Sequence, residues 1–273
     1  MTIALIDNGS LEPAAHLNLR RTAAALSARV GVPVHALSWK HSDRIPAADL
    51  GGERAWTLAP WVGAQLARGE HEFVFVPFFV SAQGAIGSAL RRDLKRLQHE
   101  AYDFAFTFTE GIAQRDSLIG IMADRIRDTI SARELRQPAV IVVDHGGPSP
   151  ASAALRDCAA AGVRQRLGAE IGPVAAASME GLDHAHNSPL LSDQLAAPDF
   201  ARGDVVLALL FLAPGRHAGV DGDLVQIARA AEARTPGLRC HLTELLGTHP
   251  RVVGLLAQAL RETLSSLQDS TAA

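Results

Sequence analysis

The sequence predicts an α/β protein of two tandem βα domains, each built on a four-stranded parallel sheet, facing each other across a cleft. Three observations carry this expectation. The chain is written twice: the run Ile3–Ile6 with its sequel Asp7-Asn8-Gly9 returns as Val140–Val143 with Asp144-His145-Gly146. Asp7 and Asp144, Pro13 and Pro150, Arg29 and Arg166, and Gly31 and Gly168 all stand 137 residues apart. Solenoid units recur every ~20–50 residues, so a copy of this length is a whole small domain. Short β-rich runs alternate with helical patterns in both copies. Finally, Phe73–Val76 and Val205–Leu210 are continuously apolar, as expected of parallel strands covered by helices on both faces.

Read in order, the first copy has strands near 2–7, 32–38, 72–78 and 103–108 and helices near 13–30, 54–68, 85–99 and 113–131. The second has strands near 138–143, 171–178, 204–211 and 238–242 and helices near 150–167, 187–196, 221–234 and 249–266. Pro13 and Pro150 mark helix starts, where the missing N–H is not needed. The polar stretch 131–137 reads as the linker, which places the domains at 1–135 and 136–273. From Ser265 the apolar period is lost and the tail is expected to fray.

Composition narrows the function. With 273 residues, 48% hydrophobic and 20% charged, the chain is that of a globular protein, and no apolar run is long enough to span a bilayer. A formal charge of −3 argues against nucleic acid as a partner. The N-terminus runs straight into a strand without a basic leader, so the expected compartment is the cytoplasm, with no membrane association. Cys158 and Cys240 have no CxxC spacing and read as buried free thiols of a reducing compartment.

In open parallel sheets ligands bind beyond the carboxyl ends of the strands. There the second copy places Asp144-His145-Gly146-Gly147, then Glu180 with Asp183, His184 and His186, then Arg216-His217 with Asp221, and last Gly247-Thr248-His249-Pro250. Neutral imidazoles with one carboxylate form a borderline-soft site suited to Fe²⁺, Co²⁺, Ni²⁺ or Zn²⁺. His184 and His186 read either as a second metal patch or as a solvated loop, and His249 as a helix start. There is no GxxxxGK[ST], GxSxG or strand-following GxGxxG, which leaves no nucleotide site and no hydrolase elbow.

These residues resemble the class II chelatases of the sirohydrochlorin cobaltochelatase and ferrochelatase type. Asp144-His145-Gly146-Gly147 is similar to the family's GHGS, and Phe211-Leu212 through Gly215, His217 and Asp221 to its FLxxGxHxxxD. Glu180 resembles the glutamate closing its second strand, and Leu246–Pro250 its LGxHP. The resemblance implies two flavodoxin-like, chelatase-type domains, the first degenerate and the second carrying the metal site. It implies ATP-independent insertion of Co²⁺ or Fe²⁺, as co-substrate, into sirohydrochlorin during siroheme or cobalamin synthesis. His145 and His217 would be catalytic, His145, Glu180 and His217 would hold the metal, and Arg216 and Arg251 would meet the carboxylates of the tetrapyrrole substrate.

The chain departs from the pattern at Asp144, Gly147 and Pro148. In the first copy Asn8 replaces the histidine, Ala85 or Ile86 stands in place of His217, and Lys40 falls opposite Glu180. A non-catalytic tetrapyrrole or metal carrier or sensor is therefore the alternative reading. The duplication implies a monomer with an internal pseudo-dimer, with a homodimer as the other arrangement.

Overall fold

The computed structural model describes residues 1–80, 85–100, 103–112, 117–219 and 221–272. The first half runs β1 (Thr2–Asp7), α1 (Pro13–Val30), β2 (Val34–Ser38), α2 (Leu58–Leu66), β3 (Glu72–Pro77), α3 (Ala85–Glu100), β4 (Ala105–Phe108) and α4 (Ser117–Arg133). The second runs β5 (Ala139–Asp144), α5 (Pro150–Leu167), β6 (Val174–Ser178), α6 (Leu191–Gln194), β7 (Gly203–Leu209), α7 (Asp223–Arg234), β8 (Leu238–Leu242) and α8 (Pro250–Ala272). The strands form two four-stranded sheets, ordered β2-β1-β3-β4 and β6-β5-β7-β8. Every pairing is parallel.

The sequence explains these elements locally. All six residues of β5, Ala-Val-Ile-Val-Val-Asp, are buried, so both faces of this β-branched strand are covered. Pro13 and Pro150 occupy the first turns of α1 and α5. Gly31 closes α1 with φ of 78°, a left-handed cap that costs glycine little. In the first sheet Trp61 meets Phe75 and Phe104 meets Phe73 edge to face, whereas the second core is aliphatic, with Ile141, Val143, Leu207 and Leu209 at its centre.

Two helices begin later than their patterns predict. The expected helix over 54–68 starts at Leu58 because the Ser38 amide bonds the Trp56 carbonyl and Ser38 bridges Thr57. That over 187–196 starts at Leu191 for the same reason: Ser178 bonds the Pro189 carbonyl and bridges Leu190. Pro189 also disfavours helix at the residue before it. At the C-terminus α8 continues to Ala272, beyond the point where fraying was expected. Cys158 is exposed rather than buried, while burial, with Glu232 nearby, pushes the Cys240 thiol up to about 12. The start of the helix expected over 113–131 lies outside the described residues up to 116. Among the described residues no helix is long and apolar enough to cross a membrane.

The compact units are Met1–Arg115 with Pro250–Ala273, and Asp116–His249. They differ from the halves 1–135 and 136–273 by two helices. Helix α4 belongs with the second sheet: Ile119 lies against Gly162 of α5, where a Cβ would sit 2.3 Å from its Cδ1, and Arg127 grips Glu170 at 2.6 and 2.8 Å. Helix α8 belongs with the first, where Arg261 donates to the Arg29 carbonyl and Gly254 packs near the Arg29 guanidinium. Polar residues 131–137 looked like a boundary because they link two elements, although they do not separate the packed bodies.

Ile141 is fully buried at the centre of β5. Ile141→Ala is expected to lower unfolding free energy by about 2–5 kcal/mol, measured by urea titration, through lost transfer energy and a residual cavity.

Candidate active site

The order of the second sheet reverses between β5 and β7, and ligands of open α/β sheets bind beyond such a switch point. His145 directly follows β5 and His217 lies in the loop after β7. Backbone pairing continues beyond the strands: the Met179 amide donates to the Asp144 carbonyl at 2.8 Å and the Glu180 amide to the His145 carbonyl at 3.1 Å. This lays Glu180 alongside His145. Gly146 makes the approach feasible, since at φ of 84° a Cβ there would lie 2.0 Å from the Glu180 carbonyl oxygen.

His145, Glu180 and His217 come together. His145 Nε2 lies 3.5 Å from Glu180 Oε1, and the two imidazoles stand perpendicular with centroids 4.5 Å apart. Each ring is oriented through its Nδ1. In His145 that atom is 2.9 Å from the Gly146 carbonyl, and in His217 it is 2.6 Å from Asp223 Oδ2. Both partners only accept, so each Nδ1 carries the proton and each neutral ring keeps its Nε2 lone pair for a ligand. This is the arrangement by which outer partners orient metal-binding histidines. The site is open rather than a finished cage. Among the described residues no group of three or more His, Cys, Asp or Glu side chains has its donors gathered for an ion.

A buried relay supports the first loop. Arg156, 1% exposed, donates to Ser178 Oγ at 2.5 Å, and the Ser178 hydroxyl donates to Asp144 Oδ1 at 2.6 Å. Burial raises the Asp144 carboxyl above its ordinary range, opposed by the Ser178 hydrogen bond and then by Arg156 and His145. The loop over 181–187 clasps the glycine turn: the Asn187 amide and His186 Nε2 both donate to the Gly147 carbonyl. His184 and His186 stack with centroids 5.4 Å apart. His186 is thus committed to the turn, and neither imidazole joins the His145 group.

Other expected residues fall as follows. Asp221 pairs at the surface with Arg229, and it is Asp223, in the first turn of α7, that holds His217. Asp223, Arg156, Ser178 and Asn187 were not anticipated. His249 is buried with Nε2 3.5 Å from Asp124 of α4. Arg216 is exposed beside His217, whereas Arg251 lies in the first turn of α8, in the other unit.

The first sheet repeats this scaffold with different side chains. Trp39 and Lys40 amides bond the Asp7 and Asn8 carbonyls, and a Cβ on Gly9 would strike the Lys40 carbonyl. Asn8 therefore corresponds to His145 and Lys40 to Glu180. The Lys40 ammonium lies over the Trp39 ring and 3.8 Å from Asp93. The side chains of Ala85 and Ile86, either of which the sequence sets in place of His217, lie outside the described residues. Asp7 and Ser38 repeat the buried Asp144–Ser178 pair, but the third member is His16, with Nδ1 3.4 Å from Ser38 Oγ.

The CbiX family model matches residues 139–263. The match starts with β5 and runs through His145, Glu180 and His217 into α8. Over nearly the whole chain the fold is similar to SirB from Bacillus subtilis with Fe³⁺, at a TM-score of 0.68 and 13% identity over 98% of each chain. It is also similar to SirB of Bacillus subtilis subspecies spizizenii in complex with cobalt, at 0.66 and 14% identity over 96% of this chain and 95% of that one. A third similar structure is CbiX, described as the terminal enzyme for biosynthesis of siroheme in denitrifying bacteria, at 0.60 and 17% identity over 96% and 99%. No curated protein matches the chain in sequence.

The Asp7 cluster generates a pH prediction. Burial raises the Asp7 carboxyl to about 6 from 3.8, so folding holds its proton and stability falls as pH rises through that window. Burial, then Arg20, lowers His16 to about 4 from 6.5, so its contribution is present above about 6.5 and is lost as pH falls to about 4. The two oppose each other between pH 4 and 6. Asp7→Asn should leave the His16 contribution uncompensated. Relative to wild type, the variant's unfolding free energy from denaturant titration should then drop by up to about 3 kcal/mol between pH 6.5 and 4.

Proposed function

We propose that the protein is an ATP-independent chelatase that inserts Co²⁺ or Fe²⁺ into sirohydrochlorin. The observation that carries this reading is the juxtaposition of His145, Glu180 and His217 at the switch point of the segment that the CbiX family model matches. Similar structures support it: one is the sirohydrochlorin chelatase SirB in complex with cobalt, and another is SirB with Fe³⁺.

Insertion removes two pyrrole N–H protons from the macrocycle as its four nitrogens replace the ligands of the incoming dication. His145 and His217 would bind the ion through Nε2 and, as it transfers, accept those protons at the same atoms. Glu180 supplies the negative charge that draws the ion in. Asp223 keeps the His217 proton on Nδ1 and stabilises the imidazolium that forms, and the Gly146 carbonyl does the same more weakly for His145. Imidazole and carboxylate release a dication more readily than thiolates, which suits delivery over storage. Arg216 beside His217 would answer a carboxylate of the macrocycle.

The second reading, a carrier or sensor that binds without turnover, starts from Asp144 and Gly147 in the family's glycine and serine positions. Against it, Asp144 faces the interior and is bonded to Ser178, away from the ion-binding atoms.

His145→Ala or His217→Ala should lower the rate of metal insertion, followed by the absorbance of sirohydrochlorin, about 10²–10⁴-fold. Asn8→Ala should leave it nearly intact. Stoichiometric spectral change without turnover would favour the carrier, and no change with either metal would sink both readings.

Proton and metal compete for the same lone pairs. Calorimetric Co²⁺ affinity should therefore weaken as pH falls from about 7 to 5, the range of an ordinary imidazole. The His145→Ala, His217→Ala double variant should lose both the binding and the slope. Equal binding by wild type and double variant would place the metal elsewhere.

A further inference from the structure

The first unit contains a cavity that insertion does not use. It opens between α1 and α2 along β2, an edge strand, and encloses about 710 Å³. That lies within the ~300–1,000 Å³ of small-molecule sites. Two nearly buried polar side chains line it with uncommitted ends. Gln65 of α2 is 7% exposed, and its side-chain amide makes no hydrogen bond among the described residues. His16 of α1 is 2% exposed; its Nδ1 reaches Ser38, while its Nε2 has no hydrogen-bond partner among the described residues. Neither is among the fully buried unpaired side-chain atoms of the described residues, so the Gln65 amide and His16 Nε2 stay accessible and available to a ligand with polar atoms of its own.

The charge of the cavity is positive. Arg20, Arg54 and Arg68 line it against a single acid, Glu53. Arg20 is structural, donating to the carbonyls of Leu50, Glu53 and Arg54 and so bracing the rim. Arg54 lies over the Trp56 ring at 3.8 Å, and Arg68 is close enough to His35 to reinforce the depression of its pKa that burial causes. Neither guanidinium forms an ion pair or hydrogen bond among the described residues, and both are exposed. A cationic pocket in a chain of net charge −3 concentrates anions locally. Trp56, His35 and the edge of Trp61 provide aromatic walls.

We propose that this cavity binds a planar, anionic small molecule: its acidic groups on Arg54 and Arg68, its ring beside Trp56 and His35, and its polar edge against Gln65 and His16. Guanidinium pairs with carboxylate and phosphate alike, in forked geometry. The ligand is therefore either a carboxylated aromatic ring system or a nucleotide, and the test separates them. The inference does not rest on the chelatase reading, since none of these residues belongs to the His145 group.

Uroporphyrin and AMP are titrated separately by calorimetry into the full chain, the R54E/R68E variant and the H145A/H217A variant. One probe should bind wild type saturably near one equivalent and bind H145A/H217A with the same constant. It should weaken about tenfold or more in R54E/R68E, as expected for lost charged hydrogen bonds. Gln65→Leu supplies a second, uncharged variant and should weaken the same probe several-fold with its thermal unfolding midpoint unchanged. Absence of binding by either probe at millimolar concentration would overturn the proposal. So would affinity that is equal in R54E/R68E and wild type, or lost only in H145A/H217A.

Discussion

Two backbone hydrogen bonds hold the candidate site together: those from the Met179 and Glu180 amides to the Asp144 and His145 carbonyls. They carry the β5–β6 pairing two residues past the strands, into a region where chains normally diverge. Everything nearby follows from that extension. The paired segments come so close that only glycine fits at 146, and its carbonyl then orients His145. The chain leaving Glu180 must turn back at once, and Asn187 and His186 hold that return against Gly147. His217 meets this edge from β7 because Asp223, favoured by the positive end of α7, anchors its ring.

The first sheet keeps the same bonds and the same glycine, so the halves differ in chemistry and not in scaffold. Asn8 offers no basic nitrogen where His145 offers one, and Lys40 puts an ammonium where Glu180 puts a carboxylate. Behind the loops the inversion runs the other way. Asp7 is backed by His16, which burial keeps neutral, and Asp144 by Arg156, which is charged. A charged guanidinium behind Asp144 favours its ionised form against burial. The second half therefore sets a carboxylate, Glu180, in front of a buried acid backed by a charged guanidinium, and the first sets an ammonium, Lys40, in front of a buried acid backed by a neutral imidazole.

Much of this was legible in the sequence. The parallel sheets followed from doubly apolar strands and from the repeat, and the His145, Glu180, His217 set followed from reading only the residues after strands. What was missed has physical causes. Arg156 sits among ordinary surface arginines of an amphipathic helix, and only its burial shows that it points inward. Asp221 and Asp223 have equal claim on His217 until the turn into α7 is known. Helices α4 and α8 carry apolar faces that fit either sheet, so linear order suggested boundaries that packing does not keep. His16 and His35 lie in α1 and β2, away from the strand ends, and their shared cavity is formed only when α1 and α2 pack beside β2.

The geometry at His145 also bears on why an open site suits the proposed reaction. With Nδ1 committed to a carbonyl, a neutral His145 turns its Nε2 lone pair toward the Glu180 oxygen, acceptor facing acceptor at 3.5 Å. That opposition is relieved by anything positive placed between them, and a proton or a dication serves equally well. Metal insertion is an exchange of those two species: the ion leaves for the macrocycle as its protons arrive. A closed cage with more donors would bind the ion more tightly and gain nothing from the returning protons. In the proposed reaction, two imidazoles and one exposed carboxylate would let the ion leave as the protons arrive, because both compete for the same lone pairs.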